Sequence, residues 1–207
     1  SSHRRQRQMC IRDRATGMVF TDQVDFELPG PIPLVWERTW YSTSTYQGPL
    51  ANGWHHNYDI ALCEDLENKA VVIRMKDGRP VSFPALKVGE KSFNRKEKLY
   101  LSRDENGYMM RDAGRLYHRF KAFDQSKPDV QQLASIEDGN GHRITFDYDF
   151  RGHLKTIVDS AGRHLDVETH DASGRIIAIR APQPSGSGEK FEICLLYTSP
   201  SPRDEKV

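Results

Sequence analysis

The residues with chemical potential cluster between positions 36 and 63. His55 and His56 are adjacent, Asp59 follows three positions later, Trp36, Trp40 and Trp54 precede or flank them, and Cys63 closes the group. A histidine and a carboxylate that converge in a pocket could do general acid–base hydrolysis, which is the enzyme reading of His55 or His56 with Asp59. The indole rings invite a second chemistry, stacking on sugar faces, with Trp54 and Tyr58 as the candidate glycan-stacking pair. Spacing argues against both. Neighbouring residues on a strand point to opposite faces, so His55 and His56 cannot easily share one metal ion. No motif with catalytic spacing accompanies them, and Trp more often fills a core than a sugar site. Cys63 has no obvious His and Asn set to activate it, and it fits a small buried residue of an Ile60–Cys63 strand. The expectation is therefore no catalytic residue, no metal site and no cofactor.

The elements that must hold these residues read as strands. Ile144-Thr-Phe146-Asp-Tyr148 and Leu165-Asp-Val167-Glu-Thr169 alternate large apolar with polar residues, as half-buried strands do. Leu34 to Tyr41 is a run of aromatic and β-branched residues with the same character, preceded by a proline-rich turn at Pro29–Pro33. Between the later strands lie short runs ending in Gly141, Gly152, Gly162 and Gly174, residues that tolerate the positive φ of tight hairpins. These runs recur with a period of 21 or 22 residues, as Leu133-x-x-Ile136-x-Asp138-x-x-Gly141, then Leu154-x-x-Ile157-x-Asp159-x-x-Gly162, then Ile176-x-x-Ile179. A fixed period implies one supersecondary unit stacked on copies of itself. The predicted repeat core is Ile136, Ile144, Phe146, Tyr148, Leu154, Ile157, Leu165, Val167 and Ile179, and the charged stretch Lys87–Lys98 reads as a solvated loop. No capped segment with helical periodicity is evident, so the predicted fold is all-β, an antiparallel, hairpin-rich sheet.

Two stretches carry a family resemblance. Gly141-His-Arg-Ile-Thr-Phe-Asp-Tyr-Asp-Phe-Arg-Gly-His-Leu154, with Asp159-Ser-Ala-Gly-Arg163 after it, resembles the YD repeat of bacterial Rhs and wall-associated repeat proteins. Asp25-Phe-Glu-Leu-Pro-Gly-Pro-Ile-Pro-Leu-Val-Trp-Glu-Arg-Thr-Trp-Tyr-Ser42 and Gly48-Pro-Leu-Ala-Asn-Gly-Trp54 resemble the domain that opens the repeat region of Rhs proteins. The resemblance implies residues 15–132 as an opening domain and 133–193 as YD repeats. It also implies a role: a non-catalytic part of the β shell that encloses a C-terminal toxin in a polymorphic toxin or type VI secretion effector. Its implied partners are the rest of that shell, the enclosed toxin and a secretion-machine spike or adaptor. The parent would be cytoplasmic before export and then delivered by a bacterial secretion system. The alternative is a cell-surface carbohydrate-binding or adhesion module.

The two ends lie outside the resemblance. Met9-Cys-Ile-Arg-Asp13 is what the end of a common transposase sequencing adapter encodes, and Cys194-Leu-Leu-Tyr-Thr-Ser199 is the reading of its reverse complement. Residues 1–14 and 194–207 are therefore expected to be adapter-derived tails. They hold seven of the 30 basic and three of the 29 acidic residues, which leaves 23 against 26 and a formal charge of −3. A mildly acidic remainder gives no electrostatic footprint for nucleic acid, and no apolar run approaches the length of a membrane span.

Overall fold

The computed structural model describes residues 8–12, 19–182 and 190–194, and its regular structure there is entirely β. Strands β1 (Gln8–Arg12), β2 (Val19–Leu28), β3 (Leu34–Tyr41) and β4 (Trp54–His56) form one antiparallel sheet in chain order. The β3 boundaries coincide with the aromatic run. Gln8–Arg12, within the expected adapter tail, adds to the outer edge of β2.

A break in alternation explains the character of the β2–β3 hairpin. Thr21 and Gln23 are buried, then Phe26 and Leu28, so the inward face changes from odd to even positions. The change happens at a β-bulge, where Val24, Asp25 and Phe26 oppose only Glu37 and Trp36. The bulge turns the Asp25 carboxylate inward onto Arg38, which it meets through two bonds of 2.5 and 2.7 Å with both side chains buried. Burial pushes the Asp25 carboxyl up while the guanidinium pulls it down, with burial the larger effect.

The second sheet begins with β5 (Ala61–Asp65), β6 (Ala70–Arg74) and β7 (Pro80–Pro84), followed by β8 (Lys91–Asn94), β9 (Leu99–Asp104), β10 (Gly107–Arg111), β11 (Tyr117–Lys121) and β12 (Val130–Glu137). It continues through β13 (Arg143–Tyr148), β14 (Leu154–Val158), β15 (His164–Thr169), β16 (Ile176–Pro182) and β17 (Lys190–Cys194). Residues 87–98, expected to be a loop, instead contribute β8. The alternation there, with Lys91 and Phe93 exposed and Ser92 and Asn94 partly covered, is carried by residues too polar to register as a strand.

Strand β12 is the branch point. Its first half pairs with β5, through Val130–Gln132 against Ala61–Cys63, and its second half pairs with β13, through Ser135–Glu137 against Arg143–Thr145. β11 runs along its other side. Strands β5 to β12 thereby curl toward a ring whose two free edges, β7 and β8, meet at a seam where the Asn94 side chain donates to the Ser82 carbonyl at 3.5 Å. Prolines at both ends of β7 and Lys91 on β8 discourage further pairing at those edges. Leu62, Ile73, Leu101, Tyr108, Met110 and Leu133 are fully buried within this part of the core.

The β2–β3 hairpin packs across β13–β16. Leu28, Ile32, Leu34, Trp36 and Tyr58 share one core with Ile144, Phe146, Leu154, Ile157, Leu165, Val167, Ile176 and Ile179. A clasp fixes the angle of this packing. Ser160, in the β14–β15 turn, donates to the Ile32 carbonyl at 2.7 Å and accepts from the Ile32 N–H at 2.9 Å, while Arg163 bonds the Pro29 carbonyl. Gly30 permits the approach, since a Cβ there would lie 2.8 Å from Ser160 Oγ. Ser160→Ala leaves both Ile32 groups without that partner, and it is expected to cost about 1–2 kcal/mol in urea unfolding. A change within error would show that the clasp holds nothing.

Candidate functional site

The predicted turn glycines sit in one recurring atomic arrangement. Asp138 Oδ1 accepts the N–H groups of Asn140 and His142, both at 2.9 Å, and Asp149 Oδ1 those of Arg151 (2.9 Å) and His153 (3.0 Å). Asp159 Oδ1 accepts those of Ala161 (3.1 Å) and Arg163 (2.8 Å). In each turn the Asp N–H donates to the carbonyl four residues on. The second carboxylate oxygen faces a basic side chain at that same position: His142 Nδ1 at 2.8 Å, His153 Nδ1 at 3.6 Å, Arg163 Nε at 2.6 Å. Closing so short a loop needs one left-handed residue, and Gly141, Gly152 and Gly162 supply it with φ of 85°, 79° and 82°. The aspartate thus closes the turn with one oxygen and, at Asp159, pairs with the Arg163 cation through the other.

Two turns vary the theme. Between β10 and β11, Asp112 Oδ1 accepts from Leu116 N–H at 3.0 Å, but the left-handed residue is Arg115 (φ 60°) and not Gly114. Between β15 and β16 the turn is one residue longer, and His170 stands in the bracket position, with Nδ1 accepting from Ser173 N–H at 3.2 Å ahead of Gly174 (φ 68°). The strands so joined bury Ile136, Ile144, Phe146, Leu154, Ile157, Leu165, Val167 and Ile179. Tyr148 is half-buried, and its hydroxyl donates to the Leu133 carbonyl at 2.8 Å.

The residues with chemical potential do not converge as a catalytic set. His55 Nε2 lies 2.9 Å from Ser44 Oγ, and its ring is stacked on Tyr46. His56 points to the other side of β4, stacked on Trp36 at 4.4 Å, with Nδ1 accepting the Tyr58 N–H at 3.2 Å. Asp59 meets neither ring. Its oxygens accept from the Tyr46 hydroxyl at 2.5 Å and from Arg74 at 2.7 Å. Burial lowers the pKa of both histidines, His56 to about 4, so near neutral pH each is an uncharged packing group. The described residues contain no cluster of His, Cys, Asp and Glu fit to hold a metal ion.

The sugar-stacking reading loses its geometry. Trp36 is fully buried and Trp40 nearly so. Tyr58 is 6% exposed, wedged between Trp36 and Phe146, with its hydroxyl accepting from Val35 N–H, so it offers no free face. Trp54 is half-buried, with the Arg38 guanidinium 5.4 Å from its ring centre. Cys63 corrects another expectation. Leu62 takes the inward position on β5, and alternation turns Cys63 out to solvent, where it is a free thiol.

What the fold does assemble around Asp59 is a polar cleft of about 380 Å³ between the 46–49 loop, β5–β6, and the turns ahead of β14 and β16. Sequence reading missed it because its walls come from six separated segments. His56, Tyr58, Asp59 and Tyr148 stand out in the sequence for other reasons, and nothing there joins them to Arg74, Gln132 or Arg151.

A ladder of acid-bracketed hairpins joined to a curled sheet through one shared strand defines an all-β hairpin-repeat protein. Comparison with known sequences finds its relatives. Residues 13–83 match a family described as "Domain of unknown function (DUF6531)", and the chain is a relative of Rhs proteins and toxins. It is 26% identical over 155 residues to the double-stranded DNA deaminase toxin A of Burkholderia cenocepacia (strain H111), covering 74% of this chain and 11% of that protein. It is 28% identical over 157 residues to the probable deoxyribonuclease RhsB of Dickeya dadantii (strain 3937), covering 72% and 10%. With the toxin protein Tse5 of Pseudomonas aeruginosa it shares 27% over 165 residues, covering 69% and 12%. The chain thus spans about a tenth of the length of these relatives.

Two titrations follow from this geometry. His56 stays neutral in the fold down to about pH 4, whereas the unfolded chain takes up that proton near its ordinary pKa of 6.5, so stability is lost as pH falls between those values. The loss is on the order of 3 kcal/mol by pH 4, and His56→Gln should flatten that limb of the melting-temperature profile. Asp138 and Asp149 act in the same direction in a lower pH range. Desolvation pushes them up, but the turn N–H bonds, with the His142 ring bond at Asp138 and the nearby His153 and Lys155 side chains at Asp149, hold both carboxyls below the usual range. Their contribution is present above the ordinary carboxyl pKa and disappears as pH falls through the lowered folded value. Asp149→Asn keeps the acceptor oxygen and removes the charge, so it should change melting at pH 7 and not near pH 2. A Gly162→Val variant is expected to lose about 1–2 kcal/mol or more from backbone strain, because no atom lies within 4 Å of its new Cβ. Unchanged melting of that variant would remove the left-handed requirement.

Proposed function

We propose that this chain is a non-catalytic scaffold segment of an Rhs-type polymorphic toxin, part of the β shell that encloses a C-terminal toxin domain. The observation that carries the reading is how the acid–base groups are used. Asp138, Asp149 and Asp159 are committed to turn N–H groups, and His56 and Asp25 to buried packing and pairing. Groups spent in this way maintain shape. The named toxins among its relatives support the assignment to a toxin-bearing parent, and a hairpin ladder that grows by adding strands suits a wall. Its partners in this reading are the remainder of the shell, the enclosed toxin and a secretion-machine spike or adaptor. Export would follow a bacterial secretion route of the type VI kind.

The test uses the full-length parent. Limited trypsin digestion of purified parent should leave the toxin domain intact while the outer surface is nicked. Introducing Asp149→Ala and Asp159→Ala together, which opens two adjacent turns, should expose the toxin domain to cleavage several-fold faster. Equal protection in both proteins, with the variant shown by circular dichroism to have lost ladder structure, would mean that these repeats enclose nothing.

A further inference from the structure

We propose that the cleft beside Asp59 is a binding site for a small hydroxylated anion of monosaccharide size, a sugar acid or a sugar phosphate. This stands apart from the scaffold reading and does not require it.

Size is the first consideration. About 380 Å³ falls at the lower end of the range for small-molecule sites, roughly 300–1,000 Å³, and matches one sugar ring better than a chain of them. Charge is the second. Both lining carboxylates are already engaged: Asp59 with Tyr46 and Arg74, and Asp124 with the Ser126 N–H (2.9 Å) and hydroxyl (2.6 Å). Lys127 and Arg151 line the same cleft, are exposed at its mouth and form no ion pair among the described residues. Arg151 donates to the Asp171 carbonyl at 3.4 Å and lies over the Phe150 ring. Asp59 is balanced by Arg74, and Asp124, whose Ser126 partners are neutral, offsets one of the two cations at the mouth, so the cleft keeps one positive charge in excess and favours an anion.

Hydrogen bonding supplies the third consideration and narrows the class. Gln132 donates through Nε2 to the Gly152 carbonyl at 2.7 Å, which fixes its amide and leaves Oε1 as a buried acceptor with no partner among the described residues. Arg74 gives one Nη to Asp59 and keeps Nε as a buried donor equally without a partner there. A donor and an acceptor unmet in the walls of one cleft suit hydroxyl groups, which both donate and accept. Inorganic phosphate answers Lys127 and Arg151 and carries a hydroxyl donor of its own, but it fills only a small part of a cleft of about 380 Å³. A neutral sugar answers the two wall atoms but not the charges at the mouth. A hydroxylated anion answers both sets.

The test is calorimetric titration of the 207-residue chain at near-neutral pH and low salt with glucuronate, glucose 6-phosphate, glucose and inorganic phosphate as separate probes. One or both anionic sugars should saturate a single site, and glucose and phosphate should bind at least about tenfold more weakly. Which anionic sugar binds better identifies the source as a sugar acid or a sugar phosphate. Replacing both mouth cations, Lys127→Gln with Arg151→Gln, should weaken binding at least about tenfold and leave melting unchanged, since both side chains are exposed. Phosphate binding as tightly as the sugars would reveal an adventitious ion only and overturn the proposal. So would the absence of saturation by either anionic sugar at about 10 mM, or unaltered affinity in the double variant.

Discussion

Three successive hairpins of the ladder, from β12 to β15, each depend on one carboxylate closing one turn. A five-residue connection leaves two N–H groups turned into the loop that no strand can satisfy, and one acceptor that takes both fixes the path of the loop. Asp138, Asp149 and Asp159 each answer both with a single oxygen and turn the other oxygen toward a basic residue just ahead of the next strand. Successive strands can be laid down in register because each connection fixes the next, and the alternation of Ile144, Phe146 and Ile157, Leu165 and Val167 stays on one face.

Polar residues inside the β2–β4 sheet follow another rule. There the bulge at Asp25 brings a carboxylate inward, and Arg38, Gln23 and His56 are buried with it at one end of a face whose other end is Leu28, Leu34 and Trp36. A buried ion pair of this kind contributes little net stability over an apolar pair, yet losing one partner strands a charge. It sits at the bulge where β2 shifts its register on β3. The apolar end of the same face is left free to cover the hairpin ladder.

The sequence disclosed the fold through its local signals and hid what depended on distance. The Leu34–Tyr41 strand, the glycine turns and the alternating repeat strands are all carried by nearest neighbours in the chain, so period and residue type suffice. β8 was obscured because Lys91, Ser92, Phe93 and Asn94 have the alternation of a strand and the composition of a loop. Cys63 was misread because a short apolar run, Ile60–Cys63, does not disclose which of its residues alternation will turn outward. The bracket role of aspartate was present in the Asp-x-x-Gly spacing. Its partner N–H groups became visible only with the backbone path, and at His170 and Arg115 different residues took those positions. The cleft could not be read at all, because Arg74, Gln132 and Arg151 meet only after the branch at β12 has formed.

That branch has a mechanical consequence. The boundary expected from the sequence between an opening domain and a repeat array, at residues 132 and 133, falls inside β12, so the strand runs without a break across it. One continuous backbone carries hydrogen bonds to β5 over its first half and to β13 over its second. Tension applied along β12 is therefore borne in shear by three ladders together, on both flanks of the strand. A chain joined in this way resists being drawn out one hairpin at a time across that junction, and it yields there as a whole or not at all.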